Sequence, residues 1–149
     1  FSKPWAMTGW RLGWLAAPET LIDSFTLLQA AQIASVPTFL QKAAETALTV
    51  DVAPMADTYR KRREYVLDRL DKMGLTYPVP QGAFYVFPDI SRFGMDSEGF
   101  CILLIEEGGL AAVPGSCFGC EGHIRLSYCY SDEELKESLD RLERFISCL

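Results

Sequence analysis

Apolar residues recur at the helical period along five stretches of the chain and at the two-residue period along one. Leu21, Ile22, Phe25, Leu28 and Ala31 predict a helix that opens on Pro18, Glu19 and Thr20 and runs to about Ala34. Ser35 and Pro37 interrupt it. Pro37 suits the first position of a second helix, which reaches about Val50 and carries Ala43, Ala44 and Ala47 for close packing. The longest predicted helix covers about Pro54 to Met73, with Tyr59, Val66, Leu70 and Met73 on one face and Gly74 to end it. A fourth, capped by Ser97 or Asp96, extends from about Glu98 to Glu107 and stops at Gly108-Gly109. Ser131 and Glu134 have capping-box spacing just ahead of a stripe of Leu135, Leu139, Leu142, Phe145 and Ile146, which predicts the last helix.

The strand signals are shorter. Arg11 to Ala17 is an apolar run closed by Pro18, and Leu110 to Val113 another that leads into the turn-forming Pro114-Gly115-Ser116. Leu75–Tyr77 and the aromatic run Gly82–Phe87 are expected to form a hairpin. His123 to Tyr128 alternates strictly, so Ile124, Leu126 and Tyr128 face one side while His123, Arg125 and Ser127 face the other. Strands and helices that alternate in this way predict an α/β fold with helices packed on a small sheet. No repeat or low-complexity segment occurs.

With 149 residues, 49% of them hydrophobic, the chain can bury one core of its own. Its net charge of −6, with both signs interspersed, argues against nucleic acid or an anionic membrane as partner, because both require clustered positive charge. Arg60, Lys61, Arg63, Glu64 and Asp68 on the long helix are read as a solvated, mixed-charge face. No run approaches the roughly 20 apolar residues of a membrane span, and no signal-peptide pattern is present, so a cytoplasmic protein is expected. Because the chain starts at Phe1, it reads as a piece of a longer protein.

The five cysteines are odd in number and lack a secreted framework, which fits reduced thiols. Cys117-Phe118-Gly119-Cys120 with His123 clusters only three ligands where structural zinc takes four, and its glycines place it in a loop. No metal site is assigned. His123, at a strand start, is read as structural.

Chemistry concentrates in the first fourteen residues. Pro4 biases Lys3 toward extended or turn geometry and thus toward a loop. Gly9 and Gly13 allow tight turns or close approach on either side of Arg11, which lies eight residues beyond Lys3. An amine able to form a Schiff base would then stand near a guanidinium able to hold an anionic group. By residue type alone, two ordinary surface cations flanked by buried tryptophans are the first reading.

Phe1-Ser2-Lys3 followed by Met7-Thr8-Gly9-x-Arg11-x-Gly13 resembles the cofactor-lysine segment of class I aminotransferases, the fold-type I enzymes that depend on pyridoxal 5'-phosphate (PLP). The resemblance continues, in family order, through Pro80-x-Gly82-Ala83-Phe84-Tyr85, Val113-Pro114-Gly115-Ser116-x-Phe118-Gly119 and Ile124-Arg125-Leu126-Ser127-Tyr128. It implies that Lys3 is catalytic and carries PLP as an internal aldimine, that Arg11 binds the PLP phosphate, and that Arg125 holds the substrate α-carboxylate. It also implies residues 1–53 as the C-terminal remnant of a large PLP-binding domain and 54–149 as the small C-terminal α/β domain, joined by the helix at about 54–73. An L-amino acid and a 2-oxo acid would be the substrates, and the parent enzyme a homodimer. The family's pyridine-nitrogen aspartate, ring-stacking aromatic and phosphate-cradling helix precede the lysine, so the chain alone is expected to bind PLP poorly and turn over inefficiently. A PLP-dependent β-lyase of the same fold, or a non-catalytic interaction module that keeps this half, fits the same motifs.

Overall fold

The computed structural model describes all 149 residues, Phe1 to Leu149. Their contacts divide into two units, Phe1–Ala56 and Asp57–Leu149. In the first unit a 3-10 turn at Thr8–Trp10 precedes an extended stretch and the helices α1 (Glu19–Ile33) and α2 (Thr38–Ala47). The strand expected over Arg11–Ala17 does not form, and every strand of the chain lies beyond residue 84. A strand exists through its hydrogen-bonded neighbours, and residues 1–56 supply none. Helix α1 begins and ends within a residue of expectation, yet it buries no side chain. Phe25 is 44% exposed and Leu27 76%, and Leu21, Leu28 and Ile33 are exposed as well. A contiguous apolar row left open to water is informative in a way that a single exposed leucine is not.

The second unit contains most of α3 (Ala53–Lys72), then β1 (Tyr85–Val86), α4 (Ser97–Glu106), β2 (Val113–Pro114), β3 (Ile124–Ser127) and α5 (Asp132–Ile146). The sheet is antiparallel in the order β1-β3-β2. Tyr85 stands opposite Ser127 and Val86 opposite Leu126 on one side, with Val113 opposite Arg125 and Pro114 opposite Ile124 on the other. The expected hairpin is therefore corrected: β1 pairs with β3, not with residues 75–77, which form no strand. Pro78 and Pro80 follow those residues and lack the N–H groups a ladder needs. One bond survives there, from the Asp89 amide to the Thr76 carbonyl at 2.8 Å. Strand β1 is shorter than the aromatic run because Ala83 is left-handed at φ 58°, held by the Tyr128 hydroxyl on its carbonyl at 3.3 Å.

The core gathers Val66, Leu70 and Met73 of the α3 region, Val86, Phe100, Leu104, Ile124, Leu126 and Tyr128, and all five predicted stripe residues of α5. Asp96, not Ser97, caps α4, its Oδ1 accepting from the Gly99 amide at 2.7 Å. Ser97 is fully buried instead. The capping box of α5 forms as expected, with the Ser131 hydroxyl accepting from the Glu134 amide at 3.2 Å and the Glu134 carboxylate accepting from the Ser131 amide at 3.0 Å. On the charged face of α3 Arg60 pairs with Asp57 and Asp68 with Lys72, each at 2.6 Å, while Arg62 pairs with Asp132 and Arg69 with Asp140 and Glu143, each at 2.8 Å. Arg63 departs from that face: it is half-buried and donates to the Pro80 carbonyl at 3.1 Å. No helix is long and apolar enough to cross a membrane.

Two stability predictions follow from the α5 packing and cap. Leu142 is fully buried, so Leu142→Ala is expected to cost about 2–5 kcal/mol in urea unfolding. The Ser131 hydroxyl and amide hold the Glu134 carboxyl below its ordinary value. The contribution of that carboxylate is therefore present above the unfolded-state pKa, roughly 4.3, and is lost as pH falls through the lower folded value. Unfolding midpoints measured from neutral to acid pH should show that loss in the wild type and not in Glu134→Gln.

Candidate functional site

Lys3 lies in an N-terminal turn in which the Ala6 amide donates to the Lys3 carbonyl at 3.2 Å. Its side chain is exposed. Arg11 closes the Thr8–Trp10 turn in the left-handed region at φ 53°, a conformation that costs a non-glycine residue roughly 1–2 kcal/mol. Its Nη1 donates to the Thr8 carbonyl at 3.1 Å, and the side chain is otherwise open to solvent. A guanidinium has five donors, so most of the fork stays available to an anion. A Cβ built on Gly9 or Gly13 meets nothing within 4 Å, leaving open space on both flanks. An exposed amine, an outward guanidinium and this open approach fit a phosphorylated aldehyde such as PLP.

Arg125 occupies the centre of the sheet in the second unit. Burial of Ile124, Leu126 and Tyr128 turns Arg125 and Ser127 to the opposite face. Antiparallel pairing with β1 brings Tyr85 beside it, and the 3-10 turn Gly115–Phe118 after β2 brings Phe118. The guanidinium carbon lies 4.5 Å from the centroid of each ring. The cation thus lies over two π clouds. The chain's salt bridges are made by Lys42, Arg60, Arg62, Arg69, Lys72, Arg141 and Arg144, and Arg125 makes none. With no carboxylate paired to it, the fork could hold a planar anion through two parallel charge-assisted bonds. It lines a cavity of about 390 Å³ with Tyr85, Ser127, Tyr130, Leu110 and Ser138.

His123 stacks on Phe87 at 5.2 Å, and Phe87 meets the edge of Phe118 at 6.0 Å, which extends the aromatic wall behind the arginine. Its Nδ1 lies 3.2 Å from the Glu121 carbonyl and 3.5 Å from Cys120 Sγ. All five cysteines are free thiols. Burial pushes the Cys101 thiol up to about 11, away from thiolate chemistry. No group of three or more His, Cys, Asp or Glu side chains is gathered as for a metal ion.

The roles of Tyr85 and Phe118 escaped sequence reasoning. Both fall inside motifs singled out there, but an aromatic side chain carries no mark of whether it packs in the core or lies on a cation. Their separation of more than thirty positions hides the clamp until the sheet brings them to one arginine.

Helices packed on a small antiparallel sheet form part of a fold-type I α/β protein, and solved aminotransferases share this fold. An aspartate aminotransferase from Thermotoga maritima superposes with a TM-score of 0.93 at 41% identity, covering 99% of this chain and 38% of that one. Over residues 1–142 the chain matches the family described as aminotransferase class I and II, and it belongs to that family. A probable N-acetyl-LL-diaminopimelate aminotransferase of Bacillus subtilis is 44% identical over 97% of this chain and 38% of its own length. Aromatic-amino-acid aminotransferase 2 of Thermococcus litoralis is 43% identical over 98% and 39% respectively. The chain thus spans under two fifths of the length of these relatives.

Gly115 is the close-packed point of the loop that carries Phe118, since a Cβ there would collide with the carbonyl oxygens of Cys120 and His123. Gly115→Ala should cost about 1–3 kcal/mol of stability, read by thermal unfolding, and should displace Phe118 from Arg125, read as a change in Phe118 ring shifts by NMR.

Proposed function

We propose that this chain is the C-terminal part of a PLP-dependent aminotransferase that moves an amino group from an L-amino acid to a 2-oxo acid as a cytoplasmic homodimer. The observation that carries this reading is Arg125, clamped between Tyr85 and Phe118 with no protein carboxylate at its edge. Both substrate types present a carboxylate next to the reacting carbon, so one planar fork can serve the two halves of the exchange. Gripping that carboxylate fixes where the substrate's Cα lies, and orientation of this kind lowers a barrier without any change in reactivity.

In this reading Lys3 Nζ attaches the cofactor and, once released from it, carries the proton from Cα and returns it. Arg11 holds the phosphate, an assignment supported by its left-handed backbone and outward fork. Bound PLP supplies the electron sink that makes Cα acidic. Residues 1–53 then belong to a large cofactor domain and 54–149 to a small domain. The open apolar row of α1 supports this, because it has the character of a core face that a larger domain would cover. By itself the chain is proposed to turn over inefficiently.

The test is borohydride reduction of the chain mixed with PLP, followed by peptide mass mapping. Selective labelling of Lys3 over Lys42, Lys61, Lys72 and Lys136 is expected. Labelling spread evenly over the five lysines would overturn the assignment of Lys3 in this chain.

A further inference from the structure

We propose that Glu121, which touches neither Arg125 nor the cavity beside it, is a positioning residue for the Arg125 site: through Ser97 and Ser116 it locks the turn that holds Phe118 on the guanidinium. This rests on the reading of Arg125 as the carboxylate-binding residue only for its consequence in binding, not for the linkage itself.

Phe118 requires such a lock. Its side chain is 49% exposed, so burial does little to hold it. An exposed cation–π contact is worth only about 0.5–1 kcal/mol, little more than thermal energy, and would not by itself keep a ring over an arginine. The position of the ring is set by the Gly115–Phe118 turn. That turn is tied at two ends. The Gly115 amide donates to the His123 carbonyl at 2.7 Å, and the Ser116 amide donates to Ser97 Oγ at 3.2 Å.

Ser97 Oγ accepts from Ser116 because its own proton is directed elsewhere. It donates to Glu121 Oε2 at 3.1 Å, while Glu121 Oε1 accepts from the amides of Ser97 at 2.6 Å and Gly122 at 2.8 Å. Ser97 is fully buried, so no water can take over either bond. The carboxylate therefore orients a hydroxyl whose lone pair anchors the turn two residues before Phe118. The amides of Gly122 and Ser97 hold the Glu121 carboxyl below its ordinary value, so it remains a full acceptor at neutral pH. A Gln at this position would keep its carbonyl oxygen on the two amides but turn an N–H donor toward Ser97 Oγ, and the hydroxyl would lose its direction.

The same bonds also serve the first turn of α4, so a purely structural role must be separated from positioning. NMR of the 149-residue chain does this. Arg125 Hε, whose guanidinium carbon lies 4.5 Å from the centroids of two rings, is expected upfield of its random-coil position, and Phe118→Ala calibrates the part due to Phe118. Glu121→Gln should move Hε by at least half of that calibrated change, with the buried methyls of Val86 and Ile124 unmoved. Ser97→Ala, which removes the relay and keeps the Glu121–amide bond, should move it the same way. An unchanged Hε in both variants overturns the proposal, as does a shift matched in proportion by the core methyls, which would mark a general loosening. Titration with 4-methylpentanoate, an unreactive carboxylate, gives the consequence: roughly fivefold weaker binding in Glu121→Gln. If Hε moves while wild type does not bind this carboxylate at all, the positioning stands and the reading of Arg125 as a carboxylate site falls.

Discussion

The structure of the second unit depends on one constraint, the burial of alternate residues of β3. Ile124, Leu126 and Tyr128 are each drawn into the core, so Arg125 and Ser127 must stand on the other face. A sheet has only two faces, and a shift of one residue in register would bury the guanidinium and expose three large apolar side chains. The arginine is thus held in place by hydrophobic burial of its neighbours, a far larger effect than any bond it makes itself. Pairing on both sides of β3 then delivers the two rings that cover it, from β1 and from the turn after β2.

Rigidity around that arginine is built from layers of modest interactions. Gly115 permits close backbone approach, Ser97 is buried under the turn, and Glu121 accepts three hydrogen bonds that set the hydroxyl. Phe118 also meets the edge of Phe87, which stacks on His123. His123 and the Cys-x-x-Cys pair, which look like ligands in a linear sequence, are used as packing and turn elements.

The first unit shows the opposite balance. Its helices form from local propensity and from the proline-flanked starts of α1 and α2, but they enclose little: only Met7, Leu12 and Ala47 are buried. Arg11 keeps a left-handed backbone in this open setting. A strained residue that also points a cation outward is what a binding site for an anion would produce.

Helix positions, the α5 cap and its core stripe, and the inside-outside alternation of β3 were all legible in the sequence. They depend on contacts within a few residues, or on a periodicity that burial imposes on one element at a time. Strand pairing was not legible. Residues 75–77 and 82–87 look like a hairpin locally, yet the partner of β1 is β3, some forty residues on, because prolines remove the donors that the nearer pairing needs. The run Arg11–Ala17 has strand composition but no neighbour in the chain, and composition does not disclose whether a neighbour exists. The Tyr85–Arg125–Phe118 clamp and the Glu121–Ser97–Ser116 linkage belong to the same category. Each joins residues whose types are ordinary and whose separation is long, and only the packed sheet brings them within reach of one another.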